Sequence, residues 1–328
     1  MRALVQQRYG PLERLRLQEI DRPTPGPEGV LVRVRAAGVD PGIWHLMTGR
    51  PYMVRLMGLG FLAPKVQVAG WDAAGVVEAV GAGVSRFGPG DEVFGNCGTG
   101  GTGSFAEYAC IPENRCAPRP ASLTLEEAAA MPVSACTALQ ALRDVARVRA
   151  GAKVLVLGAG GGVGHFAVQI AKALGAAVTG VCSTSKLEFV RSIGADEVVD
   201  YARERLDDAR RWDVIVDTAG RRSLLHLRGL LEPGGTVAVV GGEGGNAWTG
   251  DFLERMAGAA LLSLGSSRKV RFVNADVTAA DLLALTELVE AGKLRPHVER
   301  RYRLDEAVEA LKELERGHAR GKIVVVLD

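Results

Sequence analysis

"LGAGGGVGHFAVQIAK", Leu157–Lys172, is the stretch on which the reading of this chain turns. An apolar run, Lys153–Leu157, leads into it. Behind it Val163, Phe166, Ala167, Ile170 and Leu174 recur at helical spacing. Strand, glycine turn and helix in that order suit a dinucleotide. The first N–H groups of such a helix point at a pyrophosphate, and the helix dipole favours its charge. Side chains in the turn would hold phosphate oxygens off the backbone, which is why glycine is needed there. The strict Gly-x-Gly-x-x-Gly spacing puts its first position on Ala159, with Gly161 and Gly164 as second and third. Taken alone, the stretch also reads as an ordinary tight turn. Its surroundings favour the nucleotide, because further strand–helix units follow it.

Those units read as the strand "AVTGVC", the helix "SKLEFVRSIG", the strands "EVVDY", "WDVIVDTA" and "TVAVVGG", and the helix "RSLLHLRGLL" before the last strand of the three. Continuous apolar strands alternating with helices indicate a parallel sheet covered on both faces. "VTGVC" ends at Cys182 without the carboxylate that an NAD site places there for the ribose 2′-hydroxyl. Ser183, Thr184 and Lys186 follow instead, and two hydroxyls with a lysine suit a 2′-phosphate. The same residues also read as a helix N-cap at Ser183 or Ser185 beside a solvated lysine. NADPH is the expected cofactor over NADH.

Upstream the texture differs. Residues 1–124 carry short strands and turn chemistry, such as "GVLVRVRAAGV", "AGVVEAVGAGV" and "GPGD", which suggests an antiparallel barrel-like domain. "TLEEAAAMPVSACTALQALRDVARV" is helical, with a capping box from Thr124 to Glu127 and a kink or break at Pro132. After Gly292 a helix and the strand "GKIVVVLD" have mixed character and are expected to complete the first domain. The expected organisation is therefore 1–124, a dinucleotide-binding domain over 125–293, and a return segment over 294–328.

A formal net charge of +2 gives no electrostatic reason to expect nucleic acid or an anionic membrane as partner. The N-terminal "MRALVQQRYG" alternates like a strand and shows no signal-peptide pattern. Cys97, Cys110, Cys116, Cys136 and Cys182 are odd in number and irregular in spacing, which favours reduced core thiols and a cytoplasmic location.

"VDPGIWHLMTG", "VAGWDAAGVVEAVG", "GDEVFG", "GSFAEYA", "GADEVVDY" and "DVIVDTAG", with the "GGVG" turn and the tail "GHARGKIVVV", together resemble the medium-chain dehydrogenase/reductase superfamily, nearest its zinc-independent quinone oxidoreductase group. The resemblance covers nearly the whole chain. It implies an α/β protein with a GroES-like antiparallel β-barrel domain and a Rossmann doubly wound parallel-sheet domain, the active site in the cleft between them, and a homodimer paired through "KVRFVNADV". In the zinc alcohol dehydrogenases of that superfamily, the catalytic ligands match Asp40, Trp71 and a position near Val133 here. Tryptophan and valine cannot ligate zinc, so no metal is expected. Without a Lewis acid, hydride transfer is expected to an electron-poor quinone or enone.

By the same resemblance, Gly161, Gly162, Val163 and Gly164 flank the pyrophosphate, and Ser183, Lys186 and Tyr201 surround the 2′-phosphate. Thr137 lies near the nicotinamide ribose. Backbone groups at Gly241, Phe272 and Val273 hold the carboxamide, and Lys322 reaches the pyrophosphate or is a solvated surface lysine. Asp40, Trp44 and Tyr52 fall in the loop region that forms the acceptor pocket. The group often has Asn where this chain has Asp40, and an ionised carboxylate cannot donate to a carbonyl. Trp44 and Trp71 wall a flat acceptor or pack in the core, and Tyr52 is a candidate hydrogen-bond or proton donor. His45 is expected to pack the loop, and His165 to cap the helix entry. Two other functions remain open: a 2-alkenal or enoyl reductase, and a non-catalytic NADPH sensor.

Overall fold

The computed structural model describes residues 1–328 except 54, 57–59, 99–101, 205, 208, 242–247 and 249–250; the side chains of residues 252 and 253 are also left undescribed. The chain forms two compact units. The first comprises Met1–Cys136, Val277–Glu290 and Pro296–Asp328; the second comprises Thr137–Asp276 and Ala291–Arg295. The first crossing falls at 136/137, later than the change of texture at 124, and Val277–Glu290 sits with the first unit rather than the second.

In chain order the first unit carries β1 (Arg2–Val5), β2 (Arg16–Glu19), β3 (Gly29–Val39), helix α1 (Pro41–Thr48), β4 (Asp72–Val80), β5 (Glu92–Asn96), β6 (Tyr108–Pro112), β7 (Cys116–Pro118) and α2 (Leu125–Ala129). Helix α3 (Pro132–Gln140) begins in this unit and enters the second at Thr137. Pro132 therefore starts a new helix instead of kinking one, as a residue without an N–H does best in a first turn. The expected capping box is present: Glu127 N–H donates to Thr124 Oγ1 at 3.2 Å, and Thr124 N–H to Glu127 Oε2 at 3.0 Å.

The second unit holds β8 (Lys153–Leu157), α4 (Gly162–Ala173), β9 (Ala177–Cys182), α5 (Leu187–Ser192), β10 (Glu197–Asp200), β11 (Trp212–Asp217), α6 (Leu224–Gly229), β12 (Leu231–Val239), α7 (Phe252–Ser263) and β13 (Lys269–Phe272). Helix α8 (Ala279–Glu290), β14 (Val298–Arg303), α9 (Ala307–Glu315) and β15 (Lys322–Val326) belong to the first unit.

All six strands of the second unit run parallel, in the order β10-β9-β8-β11-β12-β13. This is the doubly wound order, and it reverses between β8 and β11, where such sheets open a crevice at the strands' carboxyl ends. The first unit folds around a sheet ordered β14-β15-β3-β4-β5-β7, with β6 also on β3, and its pairs are antiparallel except β14–β15. On β3, Val30, Val32 and Val34 face the core as alternation requires. Leu31 is buried as well, while Arg33 is exposed. Each unit has its own apolar cluster: Val32, Ile43, Met47 and Phe105 in the first, and Leu155, Ile215, Leu227 and Val237 in the second. Among the described residues, no helix is long and apolar enough to cross a membrane.

Candidate functional site

The glycine turn lies where the strand order reverses. Gly158, directly after β8, has φ +80°, a conformation L side chains rarely adopt, so the tight-turn glycine is Gly158 and not position 159. Ala159 is buried. A Cβ on Gly158 would stand 2.5 Å from Thr218 Oγ1, and that hydroxyl donates to Leu157 O at 2.7 Å, pinning β8 to the segment after β11. Gly161 is the N-cap residue of α4 and makes no side-chain cap. The first helical bond runs from His165 N–H to Gly161 O at 3.1 Å, so the N–H groups of Gly162, Val163 and Gly164 precede the ladder. Gly164 packs the helix onto the turn: a Cβ there would run into Gly158 O and lie 2.8 Å from Gly158 C and 3.0 Å from Ala159 Cα. His165 is buried, with Nδ1 3.0 Å from Gly161 O and its ring against Phe166. This cradle fits a pyrophosphate, because bare backbone and unclaimed donors meet at one helix N-terminus.

The side chains expected at the 2′-phosphate gather at the end of β9. Ser183 follows the strand. Tyr201, 58% exposed, donates its N–H to Cys182 O at 3.2 Å. Lys186 lies across the glycine turn, its Cδ 2.8 Å from where a Cβ on Gly160 would be. Neither serine caps a helix: Ser183 Oγ faces Ser185 Oγ at 3.3 Å, and Lys186 takes the N-cap position of α5. The sequence reading missed one neighbour. β10 pairs in register with β9, so Asp200 stands opposite Cys182 and its carboxylate accepts from Thr184 Oγ1 at 2.6 Å. That bond holds Asp200 below the usual carboxylate range and engages Thr184.

Gly241 and Val273 follow β12 and β13, at the same carboxyl edge of the sheet. Gly241 N–H donates to Asp217 O at 3.0 Å, and a Cβ there would meet Thr218 O at 2.5 Å; Val273 N–H donates to Val239 O at 2.9 Å. Phe272 ends β13, opposite Val239. Beneath this edge Asp217 is ion-paired with Arg255 of α7, which also donates to Gly220 O at 3.0 Å and Arg222 O at 3.1 Å. Nothing local in the sequence signals this pair, since its members lie on different elements. Thr137 is buried on α3.

In the first unit, two expected site residues turn out to be occupied with each other. Lys322 is 2% exposed, and its ammonium donates to Asp40 Oδ1, to Val39 O at 3.1 Å and to Ser134 Oγ at 3.1 Å. An ammonium has three protons, and all three are used. Lys322 is therefore neither a pyrophosphate ligand nor a solvated surface lysine. Asp40 is also 2% exposed and takes a further bond from Ser134 Oγ at 2.9 Å, so it does not line an open acceptor pocket. The reason is register. Ile323 pairs with Val39, and one step further along the antiparallel ladder Lys322 faces Asp40.

Trp44 is half-buried against the barrel core, its ring edge-on to His45 at 5.1 Å. His45 Nδ1 lies 2.7 Å from Arg50 O, and Trp71 stacks over Gly42 with Cη2 2.7 Å from where a Cβ would be. Tyr52 is half-buried under the Arg55 guanidinium, which lies 4.8 Å above its ring and 4.4 Å from that of Tyr9. Cys97, Cys116 and Cys182 are buried, and burial pushes their thiols up, to about 12 for Cys116 and about 11 for Cys182.

Comparison with known proteins agrees with both halves. Residues 26–121 match the alcohol dehydrogenase GroES-like domain, and residues 193–325 match the zinc-binding dehydrogenase family. The mouse mitochondrial NAD(P)H oxidoreductase RTN4IP1 is 34% identical over 326 residues, covering 91% of this chain and 82% of its own. The chain belongs to the medium-chain dehydrogenase/reductase family, among its quinone oxidoreductase-like members. An Arabidopsis thaliana chloroplast envelope quinone oxidoreductase homolog is 32% identical over 320 residues, covering 94% of this chain and 92% of its own. The quinone oxidoreductase structure from Coxiella burnetii superposes with a TM-score of 0.84 at 27% identity, covering 100% of this chain and 99% of that one. The chain thus has the GroES-like domain and the parallel Rossmann-type sheet, and it is an oxidoreductase of this family.

The family description names zinc, but the residues at the matching positions do not fit it. Asp40 is neutralised by Lys322, the Trp71 Nε1–H is a donor only, and Val133 has an aliphatic side chain. Among the described residues, no group of three or more His, Cys, Asp or Glu is placed to hold a metal.

Proposed function

We propose that the chain is an NADPH-dependent reductase that delivers hydride to quinones without a catalytic metal. The observation that carries this reading is the bare turn Gly158–Gly164 at the reversal of the parallel sheet, with Lys186 lying across it. The N–H groups of Gly162, Val163 and Gly164 take the pyrophosphate. Ser183, Lys186 and Tyr201 take the 2′-phosphate, where a lysine and hydroxyl donors favour the extra charge. Thr137 meets the nicotinamide ribose, and backbone groups of Gly241, Phe272 and Val273 orient the carboxamide. When bound, NADPH supplies the hydride.

The donor set at Asp40, Trp71 and Val133 offers no Lewis acid, so the acceptor must already be electron-poor. A quinone spreads the incoming charge over a conjugated system, and the protein then contributes proximity and orientation. Trp44 and Trp71 form the flat apolar wall for such a ring, and Tyr52 donates the hydrogen bond to its oxygen. Two copies pair through β13, the last strand of its sheet, beside the exposed Leu261 and Leu264. The test is NADPH oxidation against a panel of quinones, 2-alkenals and simple ketones, with NADH run in parallel. The expected ranking by kcat/KM is quinones first, then alkenals, then ketones, with NADPH over NADH. Turnover confined to alkenals would move the assignment to a C=C reductase. NADPH binding with no turnover on any acceptor would leave a sensor.

A further inference from the structure

A row of buried polar side chains crosses the first unit's sheet from strand to strand. Lys322 on β15 faces Asp40, the residue after β3. On the other side of β3, one step beyond the Ala37–Ala73 pair, Gly38 faces Asp72 of β4, and Asp72 pairs in register with Asn96 of β5. Gly38 leaves the room: a Cβ there would stand 2.5 Å from Ala129 O and 3.1 Å from Asp72 Cβ. The start of α3 closes the row. Val133 N–H donates to Asp72 Oδ2 at 2.9 Å, Ser134 Oγ to Asp40 Oδ1 at 2.9 Å, and Asn96 Nδ2 to Asp72 Oδ1 at 2.7 Å. Asp40 also occupies the N-cap position of α1.

We propose that Lys322 is a resident cation of the barrel domain, and that by binding Asp40 and Ser134 it fixes the starts of α1 and α3. It is a positioning residue. α1 carries Trp44 and α3 carries Thr137, so one ammonium sets the elements that bear an acceptor-side and a cofactor-side residue. The charges support the assignment. Two buried carboxyl groups and one ammonium leave a surplus negative charge unless one carboxyl keeps its proton. Asp72 is that one: burial and the nearby Asp40 charge push it well above the usual range. The cage then holds one anion, Asp40, and one cation, Lys322. Asp40 Oδ2 has no hydrogen-bond partner among the described residues, so the ammonium is its principal source of compensation. The Cys97 thiol is pushed up by burial and by Asp72, and α2 offers Ala128 and Ala129, while Glu126 and Glu127 are engaged with Arg301 and Thr124.

The test uses Lys322→Met alone and combined with Asp40→Asn. In the single variant a buried carboxylate loses its cation. A buried carboxylate charge without its cation is costly, so stability falls as pH rises past about 4, where a carboxyl group in the unfolded chain ionises freely. The melting temperature deficit against wild type is therefore expected to widen by several degrees from pH 5 to pH 8. In the double variant no ionisable group remains at position 40, and the deficit should be the same at both pH values. If the single variant folds only at pH 5, that is the predicted behaviour in its strongest form. A deficit in the single variant that does not change with pH, or one that the second substitution leaves unaltered, overturns the proposal. The positioning role rests on the reductase reading and has its own measurement. The double variant should lose about tenfold in kcat/KM for the quinone, and wild-type values there would refute positioning. Absence of turnover in the wild type would defeat the reductase reading and leave the melting comparison to judge the cage.

Discussion

Replacing Gly164 by alanine tests the cradle through a single methyl group. That carbon would lie 2.8 Å from Gly158 C and 3.0 Å from Ala159 Cα. Carbon atoms rest at about 3.5–4.0 Å, and the same methyl would run into Gly158 O, so α4 or the turn must retreat by roughly 1 Å or more. Both neighbours are backbone and cannot rotate away. Overpacking of this kind costs about 1–3 kcal/mol. A loss of that size in the cofactor complex corresponds to roughly 5- to 150-fold in Kd, and the same strain lowers the melting temperature by about 2–4 °C per kcal/mol. Gly161→Ala separates the two effects, since its Cβ meets only Gly158 O, at 3.3 Å. It should weaken binding by narrowing the phosphate approach and leave melting nearly unchanged. Gly229→Ala, whose Cβ would meet nothing within 4 Å, serves as the control. NADPH binding is read by calorimetric titration and stability by thermal melting. Wild-type affinity in both Gly164→Ala and Gly161→Ala would refute the placement of the pyrophosphate.

Lys186→Ala should raise KM for NADPH by about 10- to 100-fold, the worth of charged hydrogen bonds to a phosphate, and leave KM for NADH unchanged; equal losses with both cofactors would contradict the 2′-phosphate role. Asp196 is held below its usual range by Lys172 Nζ at 2.7 Å and by Val178 N–H at 2.7 Å. Its contribution is present above the unfolded value of about 4 and is lost as pH falls through the lower folded value. Asp196→Asn should therefore melt below wild type at pH 6, with the gap closing towards pH 2.5; a constant gap would rule this out. At pH 7 a disulfide thiol reagent should titrate at most the half-buried Cys110 quickly in the folded protein and all five cysteines after denaturation, and rapid reaction of Cys182 would show that its burial is wrong.

What could be read in advance was local. The capping box at Thr124 lies within four residues, and the apolar periodicity behind Leu157 is carried by one helix, so neighbouring residues suffice to predict both. The strict spacing puts its first position on Ala159, one residue past the turn glycine Gly158, because a positive φ is a property of the backbone path, not of spacing. From the sequence alone, Asp40 points to the acceptor and Lys322 to the pyrophosphate. Their pairing depends on which strand lies beside β3 and in what register, and 282 positions separate them along the chain. Asp200 was missed for the same reason: it stands beside Cys182 across a strand pair, while the sequence places it after another helix. Charge pairs that cross a sheet can be read only once strand order and register are known.

The most direct test of the account measures NADPH oxidation by a para-quinone before and after exhaustive treatment of the protein with a zinc chelator. Because Asp40 is held by Lys322 and neither Trp71 nor Val133 can ligate zinc, kcat/KM should be the same in both samples and unaffected by added zinc. Activity that disappears on chelation and returns with zinc would contradict it.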